Sequence, residues 1–84
     1  VDERESDAYE GIGIAYLNIG KTEEGIQAYR SAIGKNPKKS QSYYNLSVAL
    51  TNQGTLESQR EALTLLQKGH ELAPKDLQIL QQET

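Results

Sequence analysis

Residues 9–37 read YEGIGIAYLNIGKTEEGIQAYRSAIGKNP, and this stretch decides the fold because the chain then repeats it. Tyr9 returns 34 residues later as Tyr43, and Pro37 returns 37 residues later as Pro74. The shift grows by three residues along the stretch, so three residues are inserted into the second copy. A period in this range is the mark of a repeat array.

The totals describe one small globular domain. The chain has 84 residues, of which 36% are hydrophobic and 25% are charged, and it contains no Cys. The lack of Cys excludes disulfide and thiolate chemistry, and we expect a reducing compartment, the cytoplasm. No apolar run approaches the ~20 residues of a membrane span. Because the net charge is −3, we expect no nucleic-acid partner, and we expect no membrane partner either.

Charge is unevenly distributed along the chain. Residues 1–10 carry a net charge of −4, and residues 30–39 carry a net charge of +4. Two interpretations stay open. The stretches are either two solvated surfaces or a source of attraction between copies or neighbouring domains, which salt would weaken.

Apolar residues spaced by three and four predict four amphipathic helices. Their predicted limits are residues 6–20, 22–37, 40–53 and 58–74. We expect Ser6, Thr22 and Ser58 to cap the first turns, and glycine or proline to end each helix. The inserted residues 55–57 are expected to lengthen the turn before the fourth helix. Asp76 is expected to cap a last segment at residues 77–84.

Small residues predict where the helices cross. Glycine inside a helix costs up to ~1 kcal/mol relative to alanine, so Gly13 and Gly25 indicate a compensating close approach of two backbones. These two glycines and Ala32 have small counterparts in the second pair, namely Ser47, Ala62 and Gly69. One stripe of the first helix is expected to face inward, and it consists of Ala8, Tyr9, Ile12, Ala15, Tyr16 and Ile19.

The order of large, small and proline positions resembles the tetratricopeptide repeat, a 34-residue helix–turn–helix unit. The residues that carry the resemblance are Tyr9, Ile12, Gly13, Tyr16, Gly25, Tyr29, Ala32 and Pro37. Repeat one would span residues 6–39, and repeat two residues 40–76 with the insertion near 55–57. The resemblance implies an all-α fold: an antiparallel helix-hairpin solenoid of two units plus a C-terminal capping or truncated helix at 77–84, in one domain, 1–84.

The resemblance also implies a concave face, lined by the first helix of each repeat, that binds segments of other proteins. Carried over by position, this face contains Glu10, Ile14, Leu17, Asn18, Gln41, Tyr44, Asn45, Val48 and Asn52. Helical geometry supports it in part, because four of the apolar residues lie off the expected buried stripes: Ile14, Leu17, Tyr44 and Val48. The alternative is that these side chains are buried against neighbouring repeats or the tail.

Some members of the family hold the C-terminal carboxylate of chaperones with Lys, Arg and Asn on this face. Asn45 matches one such position, but Glu10 and Ile14 stand where the others would be Lys and Asn. Glu10 would repel a carboxylate, so we do not expect chaperone-tail binding. Asn45 is either a candidate to hold a peptide backbone or a solvated side chain.

The sequence offers no nucleophile–base pair, metal cluster or phosphate loop. We therefore expect no enzymatic activity, no metal and no cofactor. His70 is the sole histidine of the chain, and it is expected to pack on a partly buried helix face.

The function that we expect is non-enzymatic binding of a protein or peptide on the concave face. The alternatives are a self-association or scaffold module, which would form a homo-oligomer, or a fragment of a longer array that docks on its own neighbouring repeats. Both alternatives arise because about three repeats are normally needed for independent stability.

Overall fold

The computed structural model describes the backbone of residues 2–82 and the side chains of residues 2–73. Within that range the chain forms four α-helices and no strand: α1 (Glu3–Asn18), α2 (Thr22–Lys35), α3 (Ser40–Gln53) and α4 (Leu56–Gln82). Short connections pair α1 with α2 and α3 with α4 as antiparallel hairpins, and α2 packs against α3. The all-α helix-hairpin repeat fold expected from the sequence is confirmed.

The helix α1 begins earlier than predicted. Asp2 caps it, because the Oδ1 atom of Asp2 accepts a hydrogen bond from the N–H of Glu5 at 3.1 Å. Ser6, the predicted cap, is fully buried, and its hydroxyl donates to the carbonyl oxygen of Ala32 at 3.2 Å. Ser6 therefore ties α1 to α2. Aspartate and serine are both good caps, so local chemistry alone did not distinguish them.

Glycine ends two of the helices, as predicted. Gly20 follows α1 and Gly54 follows α3, and both have a φ of 81°, the left-handed conformation that suits glycine. The start of α2 differs from the prediction. Thr22 is its first residue rather than its cap, and the capping position is held by Lys21, whose side chain makes no capping hydrogen bond.

The inserted residues become the first turn of α4 and do not lengthen the turn before it. Thr55 Oγ1 accepts a hydrogen bond from the N–H of Ser58 at 3.0 Å, so Thr55 acts as the cap. Ser58, the predicted cap, is buried inside the helix, and its hydroxyl donates to the side-chain oxygen of Gln53. The predicted capping box was wrong because a second competent cap stands one turn earlier.

The helix α4 continues through Pro74 to Gln82. The predicted stop at Pro74 is therefore wrong, as is the separate segment capped by Asp76. A proline removes one N–H donor from a helix, which can kink and continue beyond it. The side chains of residues 77–84 lie outside the described part of the chain, and their assignment as a cap or truncated repeat stays a prediction.

The core lies where the two hairpins meet. Its members come from α2, α3 and α4, and each is almost fully buried: Ile26, Tyr29, Leu46, Ala49, Leu50 and Ala62. The helix α1 buries mainly small or polar residues, namely Ser6, Glu10 and Gly13.

The stripe predicted to face inward on α1 does not do so. Ile12 is 45% exposed and Ile19 is 68% exposed, while Ala8 and Ala15 are also exposed. Tyr9 and Tyr16 are half-buried. The stripe does share one helix face, but in α1 this face points away from the second hairpin. The equivalent residues of α3 face the first hairpin and are buried, with the exception of Gln53, the exposed last residue of that helix.

The small residues lie at the helix crossings, as predicted. A Cβ atom on Gly13 would lie 2.6 Å from Cε1 of Tyr29, and one on Gly25 would lie 3.2 Å from the carbonyl oxygen of Gly13. In the second hairpin, a Cβ on Gly69 would lie 3.2 Å from Cε1 of Tyr44. Each hairpin is thus closed by a glycine facing an aromatic ring.

Gly13→Ala is expected to destabilise the protein relative to Gly11→Ala. Both substitutions lie within α1 and add the same helix propensity, up to ~1 kcal/mol. A Cβ on Gly11 meets no atom within 4 Å, whereas one on Gly13 overlaps the buried ring of Tyr29. The two free energies of unfolding, measured in urea, should differ by about 1–3 kcal/mol, the usual cost of overpacking. Equal stabilities would contradict the close crossing.

Candidate protein-binding face

The structure divides the nine residues predicted for the concave face into three groups. One group is exposed or half-exposed on α1 and α3: Ile14, Asn18, Gln41, Asn45, Val48 and Asn52. A second group, Glu10 and Leu17, is covered within the molecule. Tyr44, the third, packs on Gly69 of α4. Only in the first group are the side chains neither covered within the molecule nor packed on another helix.

The exposed group repeats from one hairpin to the next. Ile14 and Val48 are 34 residues apart, and so are Asn18 and Asn52. In each helix the apolar residue precedes the asparagine by four positions, so the two side chains share one helix face. Ile14 is 48% exposed and Val48 is 57% exposed. An apolar side chain flanked by an amide is therefore presented twice.

A polar pair lies on the same face of α3. The side-chain nitrogen of Gln41 donates to Oδ1 of Asn45 at 3.0 Å, across one turn of the helix. This bond uses the oxygen of Asn45, so the amide N–H groups of Asn45 are the ones suited to donate to a ligand.

Glu10 is a structural residue and not a surface ligand, which corrects its predicted place. It is 8% exposed, and both of its carboxylate oxygens are bonded. Oε1 accepts from the hydroxyl of Ser42 at 2.5 Å, and Oε2 accepts from Nζ of Lys39 at 2.8 Å. The second hairpin covers this position of the first. Leu17 is also half-buried, and it packs against the core.

The first hairpin carries the features of a known family. Residues 6–39 match the family model described as the tetratricopeptide repeat. The chain contains a tetratricopeptide repeat. A search of curated proteins found no match.

Tetratricopeptide repeats are in general protein-interaction modules, and they are typically non-catalytic. The matched repeat comprises nearly all of α1, all of α2 and the connection to α3, so it includes Gly13, Gly25 and Tyr29. Among the residues that the structure describes, no helix combines the length and apolar character needed to cross a bilayer. That same part of the chain holds no cluster of His, Asp or Glu able to bind a metal ion.

Glu10→Ala is expected to cost about 1–3 kcal/mol of stability, because it leaves the hydroxyl of Ser42 buried without its acceptor. Asp7→Ala is the matched control. Asp7 also accepts from Lys39 at 2.8 Å, but its side chain is 66% exposed, so its loss should cost less than about 0.5 kcal/mol. Urea unfolding measures both values, and equal effects would show that Glu10 has no special role.

The acidic and basic stretches of the repeat pair with each other inside one chain. Besides the bonds of Lys39, Nζ of Lys35 lies 2.6 Å from Oε2 of Glu5. The hydrogen bonds that Lys39 donates to Asp7 and then to Glu10 raise the pKa of Lys39 above its ordinary value. The uneven charge therefore serves contacts within the molecule, which neither of the two earlier interpretations anticipated.

A bidentate ion pair joins the two hairpins. Nη1 and Nη2 of Arg30 donate to Oε2 and Oε1 of Glu61 at 2.5 and 2.9 Å. The hydrogen bond from Arg30 is the main reason that the pKa of Glu61 lies below its ordinary value of 4.5. Because the pKa of Glu61 is lower in the folded than in the unfolded state, the pair stabilises the fold fully at pH values above the unfolded pKa. The contribution is lost as the pH falls through the folded pKa.

A double-mutant cycle of Arg30→Gln and Glu61→Gln should give a coupling of about 0.2–1 kcal/mol at neutral pH, the range for exposed pairs. The coupling should weaken as the pH falls below the ordinary pKa of a glutamate, and it should vanish once the carboxyl group of Glu61 is protonated. The control cycle pairs Arg30→Gln with Glu57→Gln, because the exposed Glu57 lies in the first turn of the same helix. Coupling that persists in acid would contradict the ion pair.

Two grooves lie at the outer sides of the hairpins. The N-terminal groove, of about 310 Å³, is lined by residues that include Tyr9, Ile12, Tyr16, Glu24 and Ala28. The C-terminal groove, of about 500 Å³, is lined by Tyr44, Leu63, Leu66, Gln67 and His70.

The prediction that His70 is partly buried is wrong, because its side chain is exposed in the C-terminal groove. Neither groove is among the surfaces predicted from the sequence. The signal for them is the equivalence of the two repeats, because the apolar residues of each groove hold positions that are buried in the other hairpin.

Proposed function

We propose that the chain is a non-enzymatic module that binds an extended segment of another polypeptide on its concave face. This face is formed by the exposed residues of α1 and α3: Ile14, Asn18, Gln41, Asn45, Val48 and Asn52. The observation that supports the proposal is the pair Ile14 and Val48. Two exposed apolar side chains at equivalent positions, rimmed by amides, are typical of a contact surface.

The chemistry of this face favours an uncharged, extended peptide. Ile14 and Val48 can cover apolar side chains of the ligand, and asparagine amides can both donate to and accept from a peptide backbone. No member of the concave face is a cation, and Lys39 is already bonded to Asp7 and Glu10. The face therefore does not suit a C-terminal carboxylate as its anchor, in line with the sequence expectation.

The affinity should be modest. A surface made by two helices buries less than about 1,200 Å² in total, which is typical of transient complexes. The fixed spacing of α1 and α3 partly compensates, because a rigid site loses little conformational entropy on binding.

The test selects ligands from a display library of random peptides and measures their affinity by fluorescence polarisation. The Ile14→Asp/Val48→Asp double variant should bind the selected peptides at least about tenfold more weakly, because it removes two apolar contacts. The control is Ile19→Asp/Leu56→Asp, which changes two side chains that are more exposed and lie at helix ends.

Circular dichroism melting should show that both double variants remain folded, since none of the four residues is buried. Equal affinity of the peptides for the wild type and for Ile14→Asp/Val48→Asp would refute the concave face as the binding site. An equal loss with the control variant would do the same.

A further inference from the structure

The N-terminal groove repeats a surface that is used inside the molecule. Its large side chains hold the places of three α3 residues that are buried against the first hairpin. In order, Tyr9, Ile12 and Tyr16 correspond to Tyr43, Leu46 and Leu50. The groove is therefore a copy of the side that hairpin two presents to hairpin one.

The C-terminal groove repeats the opposite side of the same contact. Its residues hold the places, 37 residues later, of α2 side chains that lie at the junction with hairpin two. In order, Leu63, Leu66 and His70 correspond to Ile26, Tyr29 and Ile33. Leu63 and Leu66 are exposed, whereas Ile26 and Tyr29 belong to the core. The two ends of the chain thus carry the two halves of one interface.

We propose that the C-terminal groove of one copy of this chain binds the N-terminal groove of a second copy. The copies then stack head to tail, in the arrangement that joins the two hairpins within the chain. The contact continues an interface that the molecule already uses, and among residues 2–73, whose side chains the structure describes, both grooves are open.

The positions that carry polar contacts inside the molecule are compatible with this stacking. Inside the molecule, Glu10 of hairpin one accepts a hydrogen bond from Ser42 of hairpin two. At the stacking contact, Tyr44 of one copy takes the place of Glu10, and Ala8 of the next copy takes the place of Ser42. A large aromatic side chain would meet a small apolar one, so no buried polar group would lose its partner.

The internal ion pair is replaced at the stacking contact by an amide facing a carboxylate. Arg30 and Glu61 correspond to Gln67 in the C-terminal groove and Glu24 in the N-terminal groove. The stacking contact would therefore lack the charge pair of the internal one. We expect it to be weak, and a single change can strengthen it.

Head-to-tail contacts use two different surfaces, so they do not close at a dimer unless the rotation forms a ring. Sedimentation velocity of the wild type should show an average mass that rises steadily with protein concentration. The protein concentration should be raised to about 1 mM, which exceeds the dissociation constants of most transient complexes. A chain that is still monomeric at that concentration would overturn the proposal.

Two single variants distinguish a head-to-tail contact from any symmetric one. Ile12→Asp blocks the N-terminal groove, and Leu66→Asp blocks the C-terminal groove, each at a side chain that is at least 41% exposed. Each variant alone should stay monomeric, while their mixture should form a 1:1 dimer that grows no further. A mixture that remains monomeric, or single variants that associate like the wild type, would overturn the proposal.

Gln67→Arg is expected to strengthen the association, a result that unfolding of the variant could not produce. It would restore the ion pair with Glu24 of the next copy, and the dissociation constant should fall about two- to five-fold at low salt. The gain should disappear when Glu24→Gln is added or when the salt concentration is high. Unchanged association of Gln67→Arg would refute this register.

A further control distinguishes association through the grooves from association through the concave face. Ile14→Asp/Val48→Asp leaves both grooves intact, so it should associate like the wild type even if it no longer binds peptides. Association that fails in this variant would place the contact on the concave face and not in the grooves, and would overturn the proposal.

Discussion

The meeting of the α1 backbone with the ring of Tyr29 at Gly13 is the contact on which the rest of the structure depends. Any side chain at Gly13 would overlap that ring, so only glycine allows the two helices to approach so closely. Tyr29 is then held against α1 while it still belongs to the core that receives Leu46 and Leu50 from α3. The bond from Ser6 to the carbonyl oxygen of Ala32 fixes the same crossing nearer the start of α1. The close crossing in the first hairpin thus forms the surface on which the second hairpin packs.

Glu10 and the Arg30–Glu61 pair then define how the second hairpin sits on the first. Hydrogen bonds to a buried charged group contribute roughly 1.5–3 kcal/mol, whereas exposed ion pairs contribute at most about 1 kcal/mol. Glu10 is therefore the stronger of the two polar contacts, and it is also the one that joins α1 directly to α3. Because these two helices carry the concave face, a residue that was expected to touch a ligand instead fixes the distance between Ile14 and Val48.

The repeat pattern predicted the four helices of the two repeats, their pairing, the limits of α3 and the glycines at the crossings. It failed wherever two chemically equivalent choices stood close together, as with the caps Asp2 and Ser6 or Thr55 and Ser58. It also failed where burial depends on a neighbouring hairpin. Periodicity defines a helix face, but it does not say what covers that face. The same stripe is consequently exposed at Ile12 and buried at Leu46. Family positions have the same weakness, since the place of Glu10 is covered by the second hairpin, whereas its counterpart Tyr44 is half-buried and lines the C-terminal groove.

None of the residues of the concave face lines either groove, so a copy that is stacked can still offer that face to a ligand. In a stack, the concave faces of successive copies would form one continuous surface. Each hairpin would add one apolar side chain and one asparagine to it, at the spacing that separates Ile14 from Val48. A polypeptide long enough to cross from one copy to the next would bind the stack more tightly than the single chain, because its second contact would be intramolecular. By linkage, such a ligand would also promote stacking, whereas a peptide confined to one copy would leave the assembly unchanged.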